Sequence, residues 1–249
     1  MRYVYGIHAV DSLLRQNARA VQSLLLQAGR NDKRINALVE LARNQGVTVV
    51  REPRAGMDSL VSGRHQGAIA QVQESAAEQA ASNLWDEAKL LQAVEDKSGP
   101  VLILVLDGVT DPHNLGACLR SADAAGVDAV VVPKDNSADL TPVVHKVACG
   151  AAEVVPFVRV TNISRTLQAL KARGVWLYGT DGGAEKSLYN SDLTASLALV
   201  MGAEGKGMRR LTREQCDFLI HLPMAGSVSS LNVSVAAGVV LFEVVRQRG

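Results

Sequence analysis

The pattern of hydrophobic and polar positions divides the second half of the chain into short apolar runs that alternate with amphipathic stretches. The apolar runs predict β-strands at 101–106, 128–132, 153–158, 175–180, 197–201 and 218–222. Apolar residues at helical spacing predict helices at 114–125, 141–149, 162–173 and 231–247. Such alternation is typical of a mainly parallel sheet with helices on both faces, so we expect an α/β fold here.

The first seventy residues show the same alternation on a smaller scale. Helices are predicted at 8–16 and 32–45, and strands at 21–27, 47–50 and 67–72. The next stretch, ESAAEQAAS at 74–82, is small and polar without periodicity, and a predicted helix at 83–96 follows it. We therefore assign residues 1–73 to a small α/β domain, 74–98 to a linker and 99–249 to a second domain.

The charge distribution differs between these parts, although the net charge of the chain is only +1. Residues 1–73 hold ten Lys and Arg against five Asp and Glu, the linker holds two against six, and the remainder holds fourteen of each. A basic first domain is the favoured place for a polyanion, but the same excess would also serve solubility alone.

Composition excludes several classes of protein. The longest apolar runs have about six residues, far below the ~20 of a membrane-spanning helix, and the N-terminus lacks the pattern of a signal peptide. The cysteines, Cys118, Cys149 and Cys216, are far apart and show neither metal-binding nor redox spacing. We expect buried, reduced cysteines and a cytoplasmic protein.

Three polar or glycine-rich loops follow predicted strands, at 107–120, 201–208 and 222–232. Parallel sheets bind ligands beyond the carboxyl ends of their strands, so these loops are the candidate site. They lack the Walker, GxGxxG and GxSxG patterns and zinc-ligand spacing. Together they supply hydrogen-bonding groups, a cation and a carboxylate, which suits group transfer to an oxygen of a polyanion.

Each of these features also has a plain structural explanation when it is taken alone. Asp111 or Asn114 could cap the helix that follows, and Ser229 or Ser230 could cap the last helix. Arg120, two turns into its helix, could be an ordinary solvated surface residue.

Three segments resemble the motifs of one known family. Residues 114–120 (NLGACLR), 201–208 (MGAEGKGM) and 222–234 (LPMAGSVSSLNVS) resemble, in order and spacing, the three motifs of the SpoU (TrmH-like) branch of the SPOUT RNA methyltransferases. Residues 5–10 (YGIHAV) and 65–67 (HQG) resemble the small substrate-binding domain of this family, which is similar to the ribosomal protein L30e fold.

The resemblance implies a fold, a cofactor and partners. It implies a deep trefoil knot in the second domain, S-adenosylmethionine as the cofactor, no metal, and a homodimer in which the partner subunit completes each site. Over nearly the whole chain the likeness is to members that methylate the 2′-hydroxyl of a guanosine in the peptidyl-transferase region of 23S ribosomal RNA. A sister enzyme that methylates a tRNA ribose is the alternative.

Two other classes fit the sequence less well. An oxidoreductase would carry GxGxxG after its first strand, and a non-catalytic RNA-binding protein would not need the motif residues that this chain retains.

The motif positions imply roles for individual residues. The implied catalytic residues are Arg120, Asn114, Glu204 and Asn232; the implied cofactor-binding residues are Thr180, Gly202, Leu222, Met224, Ser230 and Leu231. The candidate RNA-binding residues of the basic domain are Arg30, Lys33, Arg54, Arg64 and His65.

Overall fold

The structure, a computed structural model, describes residues 2–61, 63–72 and 83–249. The chain divides into two compact units, residues 1–83 and 84–249. The polar linker segment 74–82 lies outside the described residues. The helix predicted at 83–96 is present at Glu87–Asp96 after a short strand, but both elements belong to the second unit, so the linker is shorter than 74–98.

The first unit is built on a four-stranded sheet in the order β1-β4-β2-β3. Its strands are β1 (Arg2–Tyr5), β2 (Val21–Gln27), β3 (Thr48–Glu52) and β4 (Ala68–Val72), and its helices are α1 (Ile7–Asn17), α2 (Lys33–Asn44) and α3 (Arg54–Leu60). β3 runs parallel to β2, whereas β4 runs antiparallel to β1 and β2.

Helices cover both faces of this small sheet. The apolar sides of α1 and α2 pack in one core with Leu24, Leu26 and Ala70, and Met57 of α3 packs with Leu25 and Ile69 on the other face. The sequence pattern did not predict β1 or α3, because both are too short to show a clear period.

The second unit contains, within the described residues, an eight-stranded sheet in the order β10-β12-β9-β11-β6-β7-β8-β5. Every neighbouring pair is parallel, as the strand–helix alternation predicted. The strands are β5 (Leu84–Trp85), β6 (Leu102–Asp107), β7 (Ala129–Pro133), β8 (Phe157–Val160), β9 (Trp176–Thr180), β10 (Lys186–Ser187), β11 (Leu197–Gly202) and β12 (Phe218–His221).

Helices cover both faces of this sheet as well. They are α4 (Glu87–Asp96), α5 (Pro112–Ala124), α6 (Pro142–Ala148), α7 (Ile163–Lys171), α8 (Arg210–Gln215) and α9 (Val233–Arg248). The core on one face contains residues of α5, α6 and α9, and the core on the other contains residues of α4 and α7. The central strands β6 and β7 are buried along their whole length, which explains their uninterrupted apolar sequences.

One predicted strand was placed too early. The expected strand at 153–158 begins only at Phe157, and residues Ala151–Glu153 form a single 3₁₀ turn instead. Ala151, Ala152 and Val155 are apolar because they are buried in the core beside α5 and α6. An apolar run therefore showed burial, but it did not show which kind of backbone was buried.

The strand order brings four carboxyl ends together. β12, β9, β11 and β6 are neighbours in the sheet, and they end at His221, Thr180, Gly202 and Asp107. The loops that follow them therefore meet at one edge of the sheet.

Candidate functional site

A cleft of about 600 Å³ opens at this edge, between the loops that follow β9, β11 and β12. The size lies within the ~300–1,000 Å³ of small-molecule sites. The structure places all the expected cofactor-binding residues along its wall, namely Thr180, Gly202, Leu222, Met224, Ser230 and Leu231. Segments 201–208 and 222–231 thus converge in space.

The glycine-rich segment after β11 forms a tight turn. The amide of Ala203 donates to the carbonyl of Gly207 (3.1 Å), and the amide of Gly207 donates back to Ala203 (2.8 Å). A Cβ atom on Gly202 would lie 2.0 Å from the carbonyl carbon of Gly207, so only glycine permits this approach. The turn carries Glu204 on the wall of the cleft.

A chain of side-chain hydrogen bonds joins three of the four expected catalytic residues. Asn232 donates from Nδ2 to Oδ1 of Asn114 (2.9 Å), and Asn114 donates from Nδ2 to Oε2 of Glu204 at the longer distance of 3.5 Å. These residues come from the start of α9, the start of α5 and the turn after β11. The arrangement fixes both amides and directs them toward a carboxylate beside the cleft.

The fourth expected catalytic residue, Arg120, does not line this cleft in its own chain. Its guanidinium is exposed and lies beside Cys149, with 3.6 Å between Nη1 and Sγ. Arg120 follows Asn114 by six positions on α5, which places the two side chains on different sides of the helix. The expectation that all three cysteines are buried is wrong for Cys149, which is exposed.

The helix caps differ in part from the sequence interpretation. Asp111 caps α5 by accepting from the amide of His113, which is the structural role that we had considered for it. Neither Ser229 nor Ser230 caps the last helix; Asn232 does so, and its Oδ1 accepts from the amide of Ser234 (2.9 Å). Asn232 therefore both ends the loop and supports Asn114.

Sequence reasoning missed an ion pair on the wall of the cleft. Asp181, directly after β9, accepts from Nε of Arg213 (2.7 Å) and from the amide of Gly183 (2.8 Å). The Arg213 guanidinium, followed by the Gly183 amide, lowers the pKa of Asp181, so this carboxylate stays ionised at neutral pH. Its position at a strand end was a visible signal, but its partner lies 32 residues away.

A second missed ion pair lies beneath the glycine-rich turn. Asp107, whose side chain is fully buried, accepts from the amide (2.9 Å) and from Nε (2.6 Å) of Arg209, and Nη2 of Arg209 also contacts it. Asp107 lies opposite Gly202 in the register of β6 and β11. The pair therefore ties the end of the 203–208 segment to the strand beside it.

The candidate RNA-binding residues of the first unit differ in their surroundings. His65 is only 5% exposed; its Nε2 lies 2.8 Å from Oδ1 of Asp58, and its Nδ1 accepts from the amide of Gly67. Because Nδ1 accepts, Nε2 is the nitrogen that donates to Asp58. This geometry gives His65 a role within the turn and leaves little of its ring for RNA.

The candidate arginines and the lysine divide into tied and free side chains. Arg30 is tied, since it pairs with Asp32 (2.5 Å) and donates to the carbonyl of Gln66 (2.6 Å). Lys33 and Arg64 are exposed, and Arg54 makes a long ion pair of 3.6 Å with Asp58 in its own helix. These three exposed side chains are the candidates that could contact an external polyanion.

The described residues contain no group of three or more His, Cys, Asp or Glu side chains that could hold a metal ion. Within the same residues, no helix combines the length and the apolar character needed to cross a lipid bilayer.

The fold and site define a class of protein: a two-unit α/β protein with a parallel sheet and a small-molecule cleft built from glycine-rich loops. The model of the SpoU rRNA methylase family matches residues 101–242, and that of the RNA 2′-O ribose methyltransferase substrate-binding domain matches residues 3–77. The chain therefore belongs to the SpoU rRNA methylase family, and the resemblance found in its sequence motifs is confirmed.

Individual relatives are similar over nearly their whole lengths. The chain is 59% identical to the 23S rRNA (guanosine-2′-O-)-methyltransferase RlmB of Pseudomonas syringae pv. tomato, with 98% of this chain and 95% of that protein covered. It is 54% identical to RlmB of Escherichia coli, with 98% of both covered. A crystal structure of the SpoU methyltransferase AviRb from Streptomyces viridochromogenes, in complex with its cofactor AdoMet, matches with a TM-score of 0.72 and 25% identity over 99% of this chain and 90% of that one.

Proposed function

We propose that this protein transfers the methyl group of S-adenosylmethionine to the ribose 2′-hydroxyl of a guanosine in the peptidyl-transferase region of 23S ribosomal RNA. The observation that carries the proposal is the convergence of the 201–208 and 222–231 segments on one cleft, in a chain that shares more than half of its residues with RlmB enzymes over nearly their full length.

The cleft fits the proposed cofactor in its shape and in the chemistry of its lining. Part of the wall is backbone of the glycine-rich segment after β11, and peptide groups of such a wall could bond the edge of an adenine. When bound, S-adenosylmethionine supplies a methyl group made electrophilic by its sulfonium. Thr180, Leu222 and Leu231 would hold it through backbone groups, as the family motifs imply.

The side chains beside the cleft would align the ribose. Asn114, held by Asn232, directs an amide toward Glu204, so it can position a ribose hydroxyl between the cleft and this carboxylate. In the transfer, the carbon–sulfur bond breaks as the oxygen–methyl bond forms, and the 2′-hydroxyl loses its proton. Glu204 would accept that proton or orient Arg120. Positioning of this kind can lower a barrier by roughly 7–11 kcal/mol.

Arg120 would act from the partner subunit of a homodimer. Its own cleft does not include it, and α9 presents an apolar face to solvent at Val235, Phe242 and Val245 that a second subunit could cover. A guanidinium stays protonated, so it is a poor base. We assign it to gripping the phosphate beside the target ribose and stabilising the developing alkoxide.

Complementation between two inactive variants tests this arrangement. Arg120→Ala and Glu204→Ala subunits, each inactive alone, would be co-expressed with different tags and purified as the mixed dimer. If Arg120 acts across the interface, one of the two sites in that dimer contains both residues and methylation of 23S rRNA returns. A mixed dimer without activity would show that Arg120 acts within its own chain.

The substrate is tested by mass spectrometry of ribosomal and transfer RNA nucleosides from cells that lack the gene. We expect one 2′-O-methylguanosine to disappear from 23S rRNA and to return when the purified enzyme and S-adenosylmethionine are added. Loss of a tRNA 2′-O-methyl group with unchanged rRNA would contradict the proposal and favour the sister activity.

The remaining proposals follow from the family. We place the protein in the cytoplasm, where its RNA is found, and we propose the deep trefoil knot in the second unit. The last helix ends against the segments that precede β6 and β11, where Arg248 donates to the carbonyls of Val101 (3.0 Å) and Ala195 (2.6 Å). Single-molecule stretching of the unfolded chain tests the knot, because a knotted chain has a shorter extended length than an open one of 249 residues.

A further inference from the structure

A second cavity, of about 330 Å³, lies in the same unit as the cofactor cleft but has other walls. One wall is the segment 161–164, where β8 ends and α7 begins, and the other is 209–212, which follows the glycine-rich turn. Two arginines and three hydroxyl-bearing residues line it, and its lining within the described residues includes no Asp or Glu. Nη1 of Arg210 is already paired with Oε1 of Glu214 (2.5 Å), and its other N–H groups and those of Arg209 leave the cavity with hydrogen-bond donors in excess.

Arg209 is held in place on one side of this cavity. Its amide, Nε and Nη2 all contact the buried carboxylate of Asp107, while 54% of the side chain remains exposed. This side chain is therefore ordered when the protein folds. A mobile surface arginine would lose conformational entropy only when it binds a ligand, which would weaken binding. An arginine fixed along one edge can offer its remaining N–H groups to a ligand without rearrangement.

Thr212 adds a hydroxyl-bearing side chain to the wall of the cavity. It is only 2% exposed and lines the cavity. A hydroxyl can both donate and accept a hydrogen bond, so Thr212 adds a further donor to the lining of the cavity. Asn162 caps only the amide of Arg165 in α7, and the amides of Ile163 and Ser164 at the cavity have no intrahelical acceptor.

We propose that this cavity binds a backbone phosphate of the RNA substrate, a few nucleotides from the modified ribose. A phosphate oxygen accepts from guanidinium, amide and hydroxyl groups alike, and these are the groups that converge here. The inference rests on the proposed function, since it names a contact of the same RNA.

The position in the sheet favours RNA over a free anion. β8 is separated from β11 by β7 and β6, so the cavity lies about 14 Å along the sheet edge from the cleft, at ~4.8 Å per strand. All these strands are parallel, so both openings are at the same edge. A single RNA strand laid along that edge can reach both.

Substitutions of Arg210, the exposed donor, and of Thr212, the buried donor, test the proposal in the full-length enzyme. Binding of transcribed 23S rRNA is measured by filter binding over a range of salt concentrations. We expect Arg210→Ala to weaken RNA binding about tenfold, because one charge-assisted hydrogen bond is lost. The slope of log K against log salt should also decrease in magnitude by about 1. Thr212→Val should weaken binding without changing the slope, and Thr212→Ser, which keeps the hydroxyl, should restore it.

The matched control is Arg173→Ala. Arg173 also forms an ion pair, with Glu95 at 2.7 Å, but it precedes β9 and so lies toward the opposite edge of the sheet. We expect this variant to bind RNA as the wild type does, and all four variants to bind S-adenosylmethionine with unchanged Kd.

Two outcomes would overturn the proposal. One is wild-type RNA affinity and salt slope in both Arg210→Ala and Thr212→Val. The other concerns inorganic phosphate. If phosphate raises the melting temperature of the wild type but not of Thr212→Val, and Thr212→Val still binds RNA as the wild type does, the cavity is a free-anion site. In either case a wild-type enzyme that still methylates 23S rRNA would leave the proposed function intact.

Discussion

At the scale of single residues, the cleft combines backbone groups with a few polar side chains at its edge. Backbone groups and glycines would hold the cofactor, whereas Asn114, Asn232 and Glu204 form one connected polar chain beside it. Arg120 stands apart from them, next to Cys149. The residue types at the motif positions could be read from sequence, but this separation could not.

The role of Arg120 is tested by two substitutions. We expect Arg120→Ala and Arg120→Lys both to lower the rate of methyl transfer by about 100-fold or more, because a lysine cannot reproduce the planar fork of a guanidinium. The measurement is single-turnover methylation of 23S rRNA, with cofactor affinity as the control. Substantial activity in Arg120→Lys would show that a single positive charge is sufficient.

His65 and its neighbour Arg64 form a matched pair for separating stability from RNA binding. Removing the buried ring in His65→Ala leaves the Gly67 amide without its acceptor and takes away one of the contacts of Asp58, which should cost about 1–3 kcal/mol of unfolding free energy. Arg64→Ala removes an exposed charge, so it should weaken RNA binding and leave the melting temperature unchanged. Thermal unfolding and filter binding of both variants check this; the reverse pattern would place His65 at the RNA surface.

At the scale of elements, the last helix is fastened at its C-terminal end by a buried carboxylate. Glu243 accepts from Arg246 (2.7 Å) and Gln247 (2.8 Å), and Gln247 in turn donates to the carbonyl of Ser191 and accepts from the amide of Leu193. The hydrogen bond from Arg246, followed by that from Gln247, lowers the pKa of Glu243 to about 2. This network ties α9 to the segment that precedes β11.

The stability of this network should depend on pH. A lowered carboxyl pKa stabilises the fold above the unfolded value of about 4.3, and that stabilisation is lost as the pH falls toward 2. We therefore expect Glu243→Gln to lower the melting temperature at pH 7 and the difference from wild type to shrink between about pH 4 and pH 2. A difference that stays constant over this range in calorimetry would show that the charge of Glu243 contributes nothing.

At the scale of the whole molecule, α9 has an apolar face that its own chain leaves exposed. Phe242 and Val235 are each about half exposed, although the opposite side of the same helix is packed in the core. We expect Phe242→Glu to dissociate the proposed homodimer and, with it, to abolish methylation, because Arg120 would no longer reach a partner's cleft. Sedimentation velocity gives the mass, and a monomeric wild-type protein would contradict the homodimer.

Much of the fold and part of the site were determined by the sequence alone. Burial on both faces of a parallel sheet requires continuous apolar strands, so alternation of strands and helices was visible in the hydrophobic pattern. The motifs at 114–120, 201–208 and 222–234 indicated the family, and each follows or adjoins the end of a strand, where a parallel sheet places its ligands.

Only the tertiary structure decided which side chains meet. Asp107 and Arg209 are 102 residues apart in the chain, and Asn232 lies 118 residues from Asn114, so no local pattern could pair them. The strand order makes β6, β11, β9 and β12 neighbours and brings their loops to one cleft, while the direction of a helix face keeps Arg120 outside it. Sequence periodicity reports whether a residue is buried, but long-range packing determines its partners.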